Sequence, residues 1–315
     1  MLIHHLLSFA GKIFANNKLS ILIYHQVFVE KDAMRPSEPD AETFTWQMWL
    51  ISKHFTPLSI TDALKHLEQD TLPANAICVT FDDGYINNLE IAAPILQRFN
   101  IPATVYIATA FSYGENMWND RLIDLVSSPQ LQSLNLNSIN EGTIELTDVE
   151  ERNKAAQYLI GKIKYLPIEE RKCTITQLYL TNSIAEQPRK MMSADQVKQL
   201  HSMGIEIGAH TVDHPILKVL NEVEQSQQIS NSKKVLEQWL GEKVKGFAYP
   251  NGKLGVDYDK CTRDIVEQQG FEYAVSTNWG ASTDKTDKYQ LNRFTPWDKT
   301  PLKFHLRLLR NLLGL

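Results

Sequence analysis

The sequence has little of what marks several large classes of protein. Its 315 residues include only three cysteines, Cys78, Cys173 and Cys261, which are odd in number and far apart. Such a set fits neither a disulfide framework nor a C-x-x-C metal site. Basic residues do not outnumber acidic ones. The chain has 32 Lys and Arg and 37 Asp and Glu, and its formal net charge is -5. A chain without a broad basic surface is not expected to bind nucleic acid.

Long apolar runs are missing as well. No stretch approaches the roughly 20 apolar residues that span a bilayer. The first residues are apolar but carry His4, His5 and Lys12, without the charged start and the cleavage site of a secretory signal. We therefore expect an N-terminal amphipathic segment at residues 1–19 and a cytoplasmic location.

The end of the chain predicts a second amphipathic segment. Residues 301–315 place leucines among Lys303, Arg307 and Arg310, with no acidic residue between them. A helix of this kind either packs on the domain or lies on the inner face of a membrane, with its cations on anionic headgroups. Peripheral membrane contact through the termini is therefore one expectation, and simple packing is the other.

Between these segments the pattern predicts one elaborated α/β domain at residues 20–300. About seven short apolar runs alternate with helical stretches, which is typical of βαβ units in an irregular barrel or a doubly wound sheet. The alternation stops at about 111–192, where a polar stretch without periodicity is followed by a capping box beginning at Thr147. We expect this part to be a helical insertion. In either fold, chemistry belongs at the carboxyl ends of the strands.

One of these strands ends in two adjacent carboxylates. The run that begins at Ala76 is followed by Asp82, Asp83 and Gly84. Because side chains alternate along a strand, the two carboxylates should point in different directions, and the glycine lets the chain turn sharply. One carboxylate could then bind a metal while the other handles a proton. An isolated Asp-Asp pair is more often a solvated turn, so the interpretation depends on a second element.

Two histidines supply that element. His210 and His214 follow the strand at 205–209, and they share a face if the chain becomes helical there. One carboxylate and two imidazoles suit a catalytic Zn²⁺ with a water in its fourth position. The remaining Asp could take a proton as that water attacks a carbonyl. Asp213 is an alternative third ligand, although a loop carboxylate is the simpler interpretation.

These stretches resemble the motifs of a known family. Residues 80–85 (TFDDGY) and 210–215 (HTVDHP) resemble the first two motifs of polysaccharide deacetylases with a NodB homology domain, the carbohydrate esterase family 4 type. Residues 247–252 (FAYPNG) resemble the third motif. Residues 24–27 (YHQV) resemble the bacterial exopolysaccharide-deacetylase branch. The resemblance extends over about 21–308.

The resemblance implies a fold and an activity. The fold is a distorted (β/α)7 barrel with a helical insertion. The activity is metal-dependent hydrolysis of N-acetyl groups on amino-sugar units of a polysaccharide or glycan precursor. Asp82 would be the general base, and Asp83, His210 and His214 would hold the divalent metal, with Zn²⁺ as the first candidate. A small-molecule amide or formamide hydrolase, and a catalytically silent glycan-binding barrel, are the alternatives.

The resemblance also suggests substrate contacts. The backbone around Tyr249, with Pro250 and Asn251, would bind the oxyanion or the acetate product. Trp279 would pack either beside the acetyl methyl group or in the ordinary core.

Two positions depart from the family pattern. The third motif often begins with an arginine that orients the base, but here it begins with Phe247 and Ala248. The last motif often supplies a general-acid histidine, where this chain has Arg293, whose pKa above 12 prevents useful proton donation. We predict that Arg293 orients Asp82 through its planar fork. His25, after the first strand, is the predicted general acid.

Overall fold

Parallel strands form the central layer of the molecule. The computed structural model describes residues 2–314, so Met1 and Leu315, the outermost residues of the two predicted terminal segments, lie outside the described residues. In chain order the strands are β1 (Ser20–Tyr24), β2 (Thr56–Pro57), β3 (Ala76–Phe81), β4 (Ala103–Ile107), β5 (Ser133–Asn135), β6 (Thr143–Glu145), β7 (Glu206–Ala209), β8 (Gly246–Ala248) and β9 (Tyr273–Val275). All except β5 and β6 belong to one parallel sheet, in the order β1-β3-β4-β7-β8-β9 with the short β2 beside β3.

An extended segment near the end of the chain closes this sheet. Leu291 forms a parallel bridge with Val275 of β9, and Phe294 forms one with Leu22 of β1. Residues 291–294 therefore lie between the last and the first strands of the row. The prediction of a distorted (β/α)7 barrel is confirmed, and the carboxyl ends of its strands share one rim.

Helices cover the outside of the barrel. They are α1 (Leu2–Phe14), α2 (Ala41–His54), α3 (Ile60–Glu68), α4 (Ala93–Arg98), α5 (Trp118–Ser127), α6 (Val149–Ile163), α7 (Ile168–Thr181), α8 (Ala194–Ser202), α9 (Glu222–Leu240), α10 (Lys260–Gln268) and α11 (Pro301–Leu313). Ser193 and Asn221 are the N-cap residues of the capping boxes that start α8 and α9. All residues of β1, β3, β4, β8 and β9 are buried, as expected for strands covered on both faces.

The segment between β4 and β7 packs around an apolar cluster of its own. Leu122, Leu159 and Leu178, from α5, α6 and α7, belong to this cluster, and so does Tyr85 directly after the Asp-Asp turn. The inserted helices are therefore anchored beside the rim where chemistry is expected.

Local details of the insertion differ from the sequence prediction. Asp148, not Thr147, caps α6, because its carboxylate accepts the backbone N–H of Glu151. The polar stretch without periodicity contains β5, which pairs with β6 in an antiparallel hairpin. Strands this short carry too few alternating residues to show a period of two.

The C-terminal helix uses its apolar side for packing. Phe304, Leu308 and Leu312 of α11 belong to the main core, and Oδ1 of Asn311 accepts a hydrogen bond from Ser20 at 2.7 Å. This is the packing alternative, and the structure does not support membrane contact by α11. Within residues 2–314, none of the helices combines the length and the apolar character that crossing a bilayer requires.

Candidate active site

A sharp turn after β3 separates the two carboxylates. Asp83 and Gly84 both have left-handed backbone conformations, with φ of 76° and 91°. A Cβ on Gly84 would lie 2.9 Å from the side chain of Ile107, so only glycine fits there without a shift. A non-glycine residue at positive φ stores strain of about 1–3 kcal/mol, and such strain persists where the surrounding structure holds it. Asp82 and Asp83 are both buried.

Asp82 is held by a buried arginine from the closing segment. Nη1 and Nη2 of Arg293 lie 2.7 Å and 2.8 Å from the two carboxylate oxygens of Asp82, a bidentate pair. Nε of Arg293 donates to the carbonyl of Ser276 at 2.9 Å, which fixes the guanidinium plane. Burial alone would raise the pKa of Asp82, but the charge and hydrogen bonds of Arg293 lower it to about 2. The carboxylate is therefore ionised at neutral pH. The contact is the one that the sequence predicts.

Three further side chains meet beside this pair. Nε2 of His210 and Nε2 of His214 lie 3.5 Å and 3.4 Å from Oδ1 of Asp83, and the three ligand atoms are within 4.8 Å of one another. Ligands held about 2.0–2.1 Å from a tetrahedral zinc ion lie roughly 3.4 Å apart. Oδ1 of Asp83 is buried and has no hydrogen-bond partner among the described residues. The donor set and its geometry fit a divalent metal.

Neighbouring backbone orients the first of the two histidines. Nδ1 of His210 lies 2.7 Å from the carbonyl of Ala248 in β8, so we assign the proton to Nδ1. This leaves the Nε2 lone pair directed towards Asp83, an orientation typical of metal-binding histidines.

The chain does not become helical between the two histidines. Thr211 and His214 have φ of 66° and 51°, and the N–H of His214 donates to Oγ1 of Thr211 at 3.1 Å. This compact turn brings the two imidazole centroids to 4.8 Å from each other. The condition of a helix between the two histidines is not met, and the turn brings the rings together instead.

Asp213 faces away from the cluster. Its carboxylate accepts hydrogen bonds from Lys172 and from Gln228, both at 2.9 Å. Its carbonyl accepts one from Arg171 of α7 at 2.7 Å. Asp213 therefore anchors the histidine loop to the insertion and to α9, and it is not the third ligand.

Burial sets the protonation of the ligand cluster. Burial, reinforced by the negative charge of Asp82, raises the pKa of Asp83 to about 7. Burial lowers the pKa of His210 to about 4, and it lowers the pKa of His214 well below its ordinary value. Both imidazoles are thus neutral near pH 7, as ligands must be, and a metal that binds Asp83 displaces its proton.

A cleft of about 790 Å³ opens onto the site, and both His25 and Asp83 line it. Nδ1 of His25 lies 3.9 Å from a carboxylate oxygen of Glu38. Partial removal of water would lower the pKa of His25, but the charges of Glu38, Asp83 and Asp82 outweigh this and raise it. The predicted general acid is therefore present in the cleft and is biased towards its protonated form.

A buried ionic network beside this cleft joins the loop after β1 to α5, and the sequence pattern does not predict it. Arg35, in the loop after β1, donates to Asp120 and Asp124 of α5 at 2.5–2.8 Å. Lys190, at the end of the insertion, donates to Asp124 as well. These partners lie 66 to 89 positions apart, so no local spacing could have pointed to them.

The third motif contributes less than predicted. The N–H of Tyr249 already donates to the carbonyl of Val275 at 3.3 Å, and the Tyr249 ring stacks on Tyr258 with centroids 3.8 Å apart. Pro250 is buried and has no N–H, while Asn251 is exposed with φ of 57°. The structure does not support an oxyanion contact by Tyr249 itself.

Trp279 lies outside the cleft that contains His25 and Asp83. Its ring packs on Phe294 with centroids 5.0 Å apart, and it lines a second cavity together with Trp297. The structure therefore does not support a contact between Trp279 and the acetyl methyl group. Its core alternative is wrong as well, because 49% of the side chain is exposed.

Comparisons with known proteins agree with the resemblance described from the sequence motifs. The family model described as Polysaccharide deacetylase matches residues 152–274, which include both histidines of the cluster. YxkH of Bacillus subtilis (strain 168), named as a polysaccharide deacetylase, is 22% identical over 277 residues, covering 88% of this chain and 70% of YxkH. The chain is thus similar in sequence to polysaccharide deacetylases, over residues 152–274 by the family model and over 277 residues by YxkH.

Other similar proteins match this chain over part of its length or share its fold at low sequence identity. The poly-beta-1,6-N-acetyl-D-glucosamine N-deacetylase of Staphylococcus aureus (strain N315) is 26% identical over 136 residues, 37% of this chain and 46% of that protein. The chain thus spans less than half of that relative. The solved structure of Streptococcus pyogenes deacetylase PplD in complex with acetate has a TM-score of 0.62 at 19% identity, covering 93% of this chain and 98% of PplD. IcaB from Ammonifex degensii has a TM-score of 0.59 at 18% identity, covering 94% and 97%. These two likenesses show that the chain shares their fold.

Proposed function

We propose that this protein hydrolyses N-acetyl groups on amino-sugar units of a polysaccharide or glycan precursor. The observation that carries the proposal is the juxtaposition of an arginine-bound carboxylate, Asp82, with the ligand cluster of Asp83, His210 and His214. Nε2 of His210 lies 3.9 Å from Asp82, so the two groups face one small volume. A divalent metal, for which Zn²⁺ is the first candidate, supplies Lewis acidity there, which activates water and polarises a carbonyl.

Side chains of the protein carry out the proton transfers of the reaction. Asp82 is an anion held in one orientation by Arg293, and it accepts the proton of the water that attacks the acetyl carbonyl carbon. The carbon–nitrogen bond then breaks to leave acetate and an amine. His25 donates the proton that the leaving nitrogen needs, and Glu38 stabilises the charged imidazole beforehand. The paired carboxylate and imidazole therefore serve as base and acid.

Poly-β-1,6-linked N-acetylglucosamine is the first polymer to try, because the S. aureus relative is named for it. A cytoplasmic location stays a prediction from the sequence, and it would favour a glycan precursor over an exported polymer. The substrate assay therefore includes short oligomers as well as the polymer.

Acetate release is the direct test of the proposed function. We expect the purified chain with Zn²⁺ to release acetate from chitin oligomers and from the β-1,6-linked polymer, to stop after chelation and to recover when Zn²⁺ returns. Release from small amides but not from any glycan would favour the amide-hydrolase alternative. Glycan binding without acetate release, in a metal-loaded sample, would favour the silent barrel.

The Arg293→Lys variant tests the orienting role. Lysine keeps the positive charge but loses the fork, so Asp82 is less stabilised as an anion and its pKa rises. The acidic limb of the pH–rate profile marks protonation of the base, and it should move to higher pH while kcat falls and metal content stays the same. Arg98→Lys, on the outside of α4, is the matched control. A raised KM with an unmoved limb would instead assign Arg293 to substrate binding.

A further inference from the structure

Two tryptophans line a cavity that the proposed chemistry does not use. The cavity, of about 590 Å³, lies beside α11 and contains Trp279 and Trp297 together with Lys303, Arg307 and Arg310. The exposed fractions of the two indole side chains are 49% and 57%. Large aromatic side chains that stay open to solvent inside a concave surface are typical of ligand sites.

Neighbouring side chains hold these two rings in place. The guanidinium of Arg307 lies 5.9 Å from the ring centroid of Trp279 and 6.0 Å from that of Trp297. Both Nε and Nη2 of Arg307 donate to Asp298, so the cation cannot swing away. Trp279 packs in addition on Phe294, the neighbour of Arg293. Both indoles therefore lie against one guanidinium that Asp298 holds, and Trp279 also has an aromatic neighbour.

The cavity has an excess of positive charge. Asp298 neutralises Arg307, and it is the acidic residue in the lining. Neither Lys303 nor Arg310 forms an ion pair with another residue of the described range 2–314. Two cations are thus left to face a ligand, and a carboxylate or a phosphate is the group that they would bind.

A third cavity connects this site with the catalytic cleft. It measures about 330 Å³, and it shares Trp297 and Asp298 with the tryptophan cavity. It shares Pro36, Ser37 and Glu38 with the cleft that contains His25 and Asp83. The three concave surfaces therefore follow one another along the molecule, an arrangement suited to an extended chain and larger than one sugar needs.

The geometry points to a distal saccharide site at Trp279 and Trp297 that binds a sugar ring carrying a carboxylate or phosphate, some units away from the acetamide that reaches Asp82. This inference rests on the proposed function and adds an anionic polymer as the substrate class. The flat indoles offer apolar surface to the ring face, and Lys303 and Arg310 pair with its charge. Tryptophan and basic side chains also bind anionic membranes. A concave site next to the catalytic cleft, however, favours a glycan over a membrane.

Binding is measured directly, without turnover. Hexagalacturonate, a phosphomannan oligosaccharide, uncharged chitin hexamer, and vesicles of phosphatidylglycerol with phosphatidylcholine are each titrated against the full chain, followed by tryptophan fluorescence and calorimetry. We expect at least one anionic saccharide to bind and to shield tryptophan from iodide. We also expect Trp297→Ala, and separately Lys303→Ala with Arg310→Ala, to weaken that binding about tenfold. Which anionic saccharide binds distinguishes carboxylate from phosphate.

Trp49→Ala is the matched control, because Trp49 is a similarly exposed tryptophan of α2 that lines a different cavity. Equal affinities of Trp297→Ala, the charge variant and Trp49→Ala would overturn the inference. Binding of vesicles alone, or of no anionic saccharide, would overturn it too. The same titrations with Asp82→Asn separate the two proposals, since saccharide binding would survive a failed deacetylation assay. Acetate release from short oligomers without saccharide binding would remove only the distal site.

Discussion

Replacing His210 or His214 by alanine is expected to remove bound metal and activity together. Three protein ligands converge on one position, with each histidine Nε2 within 3.5 Å of Oδ1 of Asp83. With one imidazole gone, two ligands remain, and near pH 7 a proton competes with the metal for Asp83, whose pKa is raised to about 7. Metal content by mass spectrometry, beside acetate release, measures both losses.

The control for this experiment is another histidine. His201→Ala removes a half-buried imidazole at the end of α8 that pairs with Glu242, and it precedes β7, whereas the cluster histidines follow that strand. It should leave metal content and rate unchanged. Stoichiometric metal retained by the His210→Ala, His214→Ala double variant would refute the ligand assignment.

The same site predicts how metal affinity depends on pH. Below the raised pKa of Asp83, a proton occupies the carboxylate and competes with the metal. Affinity should therefore fall as the pH drops through about 7, before His210, with its pKa of about 4, begins to take up a proton. Titration of zinc into the metal-free protein at several pH values measures this affinity. The pH values range from about 6 to about 8, on either side of the pKa of Asp83. An affinity that does not change with pH over this range would contradict the prediction.

The substitution Asp82→Asn is expected to have the second large effect, which is on the rate of hydrolysis. We expect metal content to stay the same and the rate to fall by about 10²–10⁴-fold, the usual loss when a general base is removed. Asparagine keeps one acceptor oxygen for Arg293 but no charge, so a buried cation is left poorly paired and stability falls as well. Thermal melting is therefore recorded beside the kinetics, and rates are compared well below the melting temperature.

Two other aspartate variants separate chemistry from metal binding. Asp83→Asn should lose metal affinity first, and added Zn²⁺ should restore part of the rate. Asp213→Asn is the matched control, since this carboxylate faces Lys172 and Gln228 and not the cluster. If Asp82→Asn loses metal while Asp83→Asn keeps it and loses rate, the roles of the two aspartates are exchanged.

Much of the catalytic site could be predicted because its parts are local. The carboxylates follow β3 directly, and the histidines follow β7. Strand ends in a parallel barrel share one rim, so a motif that ends a strand is placed in space by its position in the sequence. Arg293, which departs from the family's last motif, lies at the same rim and pairs with Asp82 as predicted.

Other features depend on contacts between distant parts of the chain. The pairing of Arg35 with Asp120, and the role of Asn311 in holding β1, join residues 85 and 291 positions apart. Trp279 is another example, because it packs on Phe294, lies near Arg307 and lines a cavity other than the catalytic cleft.

The sequence by itself determined the alternation of strands and helices, the rim and the four residues of the aspartate and histidine motifs, because periodicity and strand-end position are properties of short stretches. Periodicity left a barrel and a doubly wound sheet open, and the resemblance of the motifs to a family favoured the barrel. Only the tertiary structure decided the compact turn between His210 and His214, the outward direction of Asp213 and the occupied N–H of Tyr249. Each of these depends on which distant backbone or side chain packs against the loop, and closing the barrel brings those partners together.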